Sequence, residues 1–178
     1  QQQACCLLLD LDHFKRVNDE HGHPVGDYVL QRVSGVVHDN LRRTDYAIRY
    51  GGEEILLLMP SLALEWGVEV AERIRERVQK IEFTQGPSDL RVTLSIGLAL
   101  RRAAESASDW IERADQALYR AKSEGRNRTV VADDPAAAAT DPRIKVTKEM
   151  RSEVRITQSQ AAPVPSAKTD ELDTELID

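Results

Sequence analysis

Apolar residues in this chain fall into short runs and helically spaced stripes, and the two spacings separate strands from helices. Ala4 to Leu9 is a continuous apolar run, the mark of a strand buried on both faces. It ends in Asp10-Leu11-Asp12, two carboxylates at i and i+2 that share one side while the strand lasts. Tyr46 to Tyr50 and Ile55 to Met59 flank Gly51-Gly52 and predict a hairpin, with glycine taking the positive φ of a tight turn. Val92, Leu94, Ile96 and Leu98 alternate within a strand expected over 90–98, and Thr129 to Val131 is a short last strand.

Helical spacing appears three times. Tyr28, Val29, Val33, Val36 and Val37 predict a helix running to about Leu41, with Asp27 as its cap or first-turn acid. Leu64, Val68, Ala71, Ile74 and Val78 form the stripe of a second helix opened by Pro60-Ser61. Its charges, Glu65, Glu69, Glu72, Arg73, Arg75 and Glu76, read mostly as a solvated face. A third helix over Asp109 to Lys122, with Ser106 or Ser108 as cap, turns Trp110, Ile111, Ala114, Ala117, Leu118 and Ala121 inward. Gly125 is placed to end it. Strands interleaved with amphipathic helices make an α/β domain, in the form of an α+β sandwich.

Composition bounds the reading. Hydrophobic residues are 41% and charged residues 30%, ordinary for a globular domain. The formal charge of −6 argues against a general nucleic-acid binder, though not against a local phosphate site. No apolar run approaches the roughly 20 residues of a membrane span, and no signal peptide is visible. Adjacent Cys5 and Cys6 suit buried thiols in a reducing compartment, so a cytoplasmic location without membrane contact is expected. From Asp133 to Asp178 the chain has no aromatic residue, four prolines, and ten acids against six bases. That composition predicts linker or disorder, with Met150 to Ile156 as a candidate short element. One domain over 1–132 and a tail over 133–178 follow.

Candidate chemistry collects at three places. Glu53-Glu54 leave the Gly51-Gly52 turn, and such a pair either faces solvent or holds a hard cation. Lys122 and Arg126 sit four apart around a helix end, where they favour the helix dipole or clamp a phosphate. Arg42 and Asp45 read as a surface ion pair when taken alone. His21 and His23 in a Gly/Pro-containing loop are a weak zinc signal.

Taken together, LDLDHFKRVND (9–19), GHPVGD (22–27), RRTDYAIRYGGEE (42–54), VTLSIGLA (92–99) and ADQALYRAKSEGRN (114–127) resemble a GGDEF domain, the diguanylate cyclase family, in its GGEEF variant. The resemblance spans about residues 4–132. It implies a five-stranded central sheet flanked by helices, related to nucleotidyl cyclases and polymerase palms. It also implies an enzyme condensing two GTP molecules into cyclic di-GMP with release of pyrophosphate, as a two-fold homodimer with the substrates face to face.

By motif position, Asp10, the Leu11 carbonyl, Glu53 and Glu54 would hold Mg²⁺, with Mn²⁺ as the alternative ion. Glu54 would alternatively assist deprotonation of the 3′-hydroxyl, and Gly51 and Gly52 would leave room for the nucleotide. Asn18 and Asp27 would read the guanine edge. Lys15, Lys122, Arg126 and the backbone amides of His13 and Phe14 would contact phosphates. Arg42, Asp45 and Arg73 would form a product-inhibition site of the R-x-x-D type.

Two departures stand out. Ile55 replaces the usual Phe after the motif, which implies a packing change in a buried strand position. Family members also carry a helix and a D-x-L-T-G-L-x-N-R turn ahead of the first strand, and a sensory input domain. Those segments are not in the sequence given: either the chain is a fragment, or those residues lie outside the sequence shown. The rival reading is a receptor domain that binds GTP or cyclic di-GMP without synthesis.

Overall fold

In the computed structural model, which describes residues 3–87 and 89–132, nine elements build one sheet with helices on both faces. They are β1 (Ala4–Leu11), α1 (Phe14–His21), α2 (His23–His38), β2 (Tyr46–Arg49), β3 (Glu54–Pro60), α3 (Leu64–Gln79), β4 (Leu94–Leu100), α4 (Ala107–Ser123) and β5 (Thr129–Val131). The strand order is β2-β3-β1-β4-β5. All neighbours are antiparallel except β4 and β5. No helix among the described residues is long and apolar enough to cross a membrane.

The parity of β1 decides which helix meets which acid. Cys5, Leu7, Leu9 and Leu11 pack with Phe14 and Val17 of α1, Val29, Val33 and Val37 of α2, and Ala71, Ile74 and Val78 of α3. Cys6 and Leu8 face the other way, against Trp110, Ala114, Ala117 and Leu118 of α4. Asp10 continues this second set, so it emerges on the α4 side of the sheet. Gly97 on β4 lets α4 lie close, because a Cβ there would overlap the Ala114 carbonyl and the Leu118 amide.

Several expectations shift. The pattern does not announce α1, which is held by the buried pair Phe14 and Val17, three residues apart. β4 begins at Leu94 because its partner β1 ends at Leu11, opposite Leu94; Leu90 and Val92 are buried as loop residues instead. α3 starts at Leu64, with β3 continuing to Pro60 and Ser61 at a φ of 52° between them. Asp27 does not cap α2. The helix begins at His23 with Pro24 in its first turn and Gly22 before it, and this puts Asp27 in the helix body. Ser106 does cap α4, accepting from the Asp109 amide at 3.1 Å. The tail and the Met150 to Ile156 expectation lie outside the described residues.

Candidate active site at the carboxyl end of the first strand

Asp10 is 4% exposed at the end of β1, and Lys122 from the last turn of α4 reaches its Oδ2 at 2.7 Å. Burial pushes the Asp10 carboxyl above its usual range; Lys122, and more weakly Arg126, pull the other way. Glu54 lies opposite Asp10 in the β1–β3 register, and the Leu11 amide donates to the Glu53 carbonyl at 3.3 Å. The Glu53 carboxyl is also raised, first by burial and then by the Asp10 charge, with Lys122 opposing. Two carboxylates and one ammonium therefore share a small, partly dehydrated volume.

The hairpin departs from expectation in its backbone. Neither Gly51 nor Gly52 has positive φ. Instead the Glu54 carbonyl accepts from the Tyr50 amide at 2.9 Å and the Gly51 amide at 3.3 Å. The Arg49 guanidinium donates to the Gly51 and Gly52 carbonyls at 3.3 and 2.8 Å. The glycines matter for space. A Cβ at Gly51 would lie 2.5 Å from Glu54 Oε2, whereas a Cβ at Gly52 would meet nothing within 4 Å. The Glu54 carboxylate thus rests on Gly51. Among the described residues no three His, Cys, Asp or Glu side chains converge on a metal position, so the expected trio Asp10, Glu53 and Glu54 is not assembled as such. Asp10 and Glu53 with the adjoining backbone still fit Mg²⁺ or Mn²⁺, ions that take few protein carboxylates and complete their shell with phosphate oxygens and water. The Lys122 ammonium already supplies a cation at Asp10.

At α1 the two residues expected to read guanine, Asn18 and Asp27, come together. Asn18 Oδ1 lies where a Gly26 Cβ would be, so a larger residue there would displace the Asn18 amide, and Asp27 follows directly with an exposed carboxylate. His13 precedes α1 with φ at 59°, and no side chain caps the helix; its first amides, with exposed Lys15, open beside the end of β1.

Arg126 follows the end of α4. Gly125 turns the chain there with φ at 113°, a conformation that costs glycine little, and the Arg126 amide closes the turn by donating to the Ala121 carbonyl at 2.9 Å.

The R-x-x-D residues lie apart from this cluster and satisfy one another. Arg42 Nη2 is 2.7 Å from Asp45 Oδ1 and 2.9 Å from the Pro60 carbonyl, and the Arg42 amide donates to Asp45 Oδ2 at 2.9 Å. Arg73 reaches the same connection through buried Asn40, at 2.8 Å. Arg49, which holds the hairpin, and Arg75, which holds the Asn127 side chain, are not among the site residues that the sequence singles out. Asp12 is paired with Asp10 by its i, i+2 spacing but is given no role of its own.

Comparison with known proteins gives the family. The family profile described as "Diguanylate cyclase, GGDEF domain" matches residues 1–128. The diguanylate cyclase DgcP of Pseudomonas aeruginosa is 43% identical over 125 residues, covering 70% of this chain and 19% of that protein. Diguanylate cyclase A of Treponema denticola is 40% identical over 126 residues, covering 70% of this chain and 34% of that protein. The chain thus spans about a fifth to a third of these relatives. Among solved structures, the GGDEF domain of DgcB from Caulobacter crescentus, in complex with c-di-GMP, superposes with a TM-score of 0.71 at 36% identity, covering 74% of this chain and 79% of that one. The active GGEEF domain of a Vibrio cholerae diguanylate cyclase gives 0.70 at 30% identity, covering 75% and 85%. The chain belongs to the GGDEF domain family of diguanylate cyclases.

Proposed function

We propose that residues 1–132 are the catalytic domain of a diguanylate cyclase, with 133–178 as a tail, and that two copies join two GTP molecules into cyclic di-GMP. In each of two steps a ribose 3′-oxygen bonds to the α-phosphorus of the other GTP. The bond from that phosphorus to the β-phosphate oxygen breaks, pyrophosphate leaves, and the hydroxyl proton is lost to solvent or to Glu54. The meeting of Asp10, Glu53 and Lys122 at the end of β1 carries this reading. Raised carboxyls crowded beside an ammonium are groups whose charge is better satisfied by a ligand than by the protein alone.

A divalent ion, when bound, would neutralise charge developing on the phosphate oxygens. The chain's own residues would do the rest by orientation and fixed charge. Asp10 and Glu53 would hold the ion, with the Leu11 carbonyl beside them. The first amides of α1, with Lys15, would face the terminal phosphates. Lys122 would move from Asp10 toward phosphate, and Arg126 would close on the same group. Asp27 would accept from guanine N1–H and N2–H₂, and Asn18 would bond the same base, so adenine would leave polar groups unpaired. Arg42, Asp45 and Arg73 would bind product and restrain the enzyme.

The test is incubation of the 178-residue chain with GTP and Mg²⁺, chromatography for cyclic di-GMP, and Glu53→Gln in parallel. Product that disappears in the variant supports the reading. Cyclic di-GMP bound without synthesis, in a sample shown to be dimeric, would replace it with a receptor domain.

A further inference from the structure

Asp12 has the same parity as Asp10 and is as deeply buried, at 5% exposure, yet its surroundings differ. Its Oδ1 accepts from Ser95 Oγ at 2.6 Å; its Oδ2 accepts from Thr93 Oγ1 at 2.6 Å and from the Asn127 amide at 3.1 Å. Both oxygens are occupied by donors, so Asp12 is not left open to a ligand as Asp10 is. The Asn127 bond crosses from β1 to the connection after α4, where three consecutive residues have positive φ: Gly125 at 113°, Arg126 at 61° and Asn127 at 47°. Only the first is glycine. A non-glycine pair in the left-handed region persists where its surroundings over-determine it.

A second anchor supplies the rest. Arg75 of α3 donates from Nη1 to Asn127 Oδ1 at 2.9 Å, and Glu72 fixes that guanidinium with contacts of 3.0 Å to Nε and 2.7 Å to Nη2. The Arg128 carbonyl then accepts from the Ile96 amide at 2.9 Å as the chain enters β5. Arg126 is held between these points with its own side chain exposed. Its charge is near enough to Asp10 to oppose, weakly, the effect of burial on that carboxyl.

We propose that Asp12 is a positioning residue, which through the Asn127 amide, and with Arg75 as second anchor, holds the 125–127 turn so that Arg126 faces the triphosphate. This rests on the cyclase reading for the role of Arg126, but the anchoring itself does not.

The experiment is a double-mutant cycle of Asp12→Ala and Arg126→Ala, read by KM and kcat for GTP, with amide hydrogen exchange over residues 124–128 and Asp12→Asn as the conservative variant. Asn keeps one oxygen for Thr93 and Asn127 while its NH₂ turns to Ser95. Asp12→Ala is expected to raise KM about tenfold with kcat changed less than about threefold, and to add nothing once Arg126 is gone. Exchange over 124–128 should speed up in Asp12→Ala and remain near the parent in Asp12→Asn. Additive effects, or a fall in kcat at constant KM, overturn the proposal. If Asp12→Ala does not fold, Arg75→Met serves in the same cycle, with a smaller effect of the same sign expected and additivity again decisive. Should the parent bind no GTP, the cyclase reading fails. Exchange then decides the anchoring alone, and unaltered protection in the alanine variant overturns it.

Discussion

The two candidate ligand sites of this domain treat their charges in opposite ways. At the end of β1, Asp10 and Glu53 are held above their ordinary ionisation range, Glu54 rests on a glycine, and α1 begins without a side-chain cap. At the R-x-x-D turn, Arg42 forks onto Asp45, whose side chain is 2% exposed, and Arg73 is spent on Asn40. The first arrangement crowds two raised carboxyls around one ammonium, so a cation there relieves charge, although a phosphate that draws Lys122 away breaks its pair with Asp10. The second is complete, and a ligand there must displace the Arg42–Asp45 pair with no crowded charge to relieve. Binding at the second is therefore the more reduced by the pair it breaks. The difference teaches that matching motifs can mark sites of unequal readiness.

The sharpest way to break this contrast is Glu53→Gln, for which a loss of about a thousandfold or more in cyclic di-GMP formation is expected. Retained synthesis would show that the crowded carboxylates are not the ion's seat. Gly52→Ala comes next. The added methyl meets nothing in the ligand-free chain, so the melting temperature should hold or rise, while kcat/KM for GTP falls about a hundredfold if the nucleotide lies on the hairpin. Asp27→Ala should reduce the preference for GTP over ATP by roughly 10- to 100-fold in kcat/KM, because the exposed carboxylate no longer accepts from guanine. At the satisfied site, Arg42→Ala is expected to raise the cyclic di-GMP concentration for half-inhibition by about tenfold, less than a free arginine would give, since part of its binding energy already goes to Asp45. Unchanged inhibition would remove the R-x-x-D turn from regulation.

The smallest expected effect concerns pH. The folded protein holds the Glu53 proton more tightly than the unfolded chain, whose value is near the ordinary 4.5. The resulting penalty is absent at lower pH and grows as pH rises through that value toward the folded one. Metal-free Glu53→Gln should therefore melt slightly above the parent at neutral pH, with the gap closing below pH of about 4. A gap that widens in acid would mean that Glu53 is stabilised as the anion, against the crowding described.

Much of this architecture follows from local pattern. The unbroken apolar run of β1 required cover on both faces, and the alternation of Cys5 to Leu9 set the side on which Asp10 emerges. Gly125 ended α4 where a residue with positive φ was needed, and Ser106 began it. Acids at a strand end, an acid pair after a turn and cations at a helix end are local signals open to more than one reading, and their proposed roles come from the motifs taken together.

Only the tertiary structure decided the remainder, because it depends on which strand or helix lies alongside. Where β4 begins is set by the end of β1, and alternation within 90–98 carried no trace of that. Asp10 and Asp12 are alike in sequence, but α4 brings an ammonium to one while Thr93, Ser95 of β4 and the 125–127 turn surround the other with hydroxyl and amide donors. Arg75 resembled any charge on a solvated helix face until the fold placed Asn127 beside it. Periodicity determines which side of an element is buried; what a polar side chain does there depends on donors and charges supplied by residues distant in sequence.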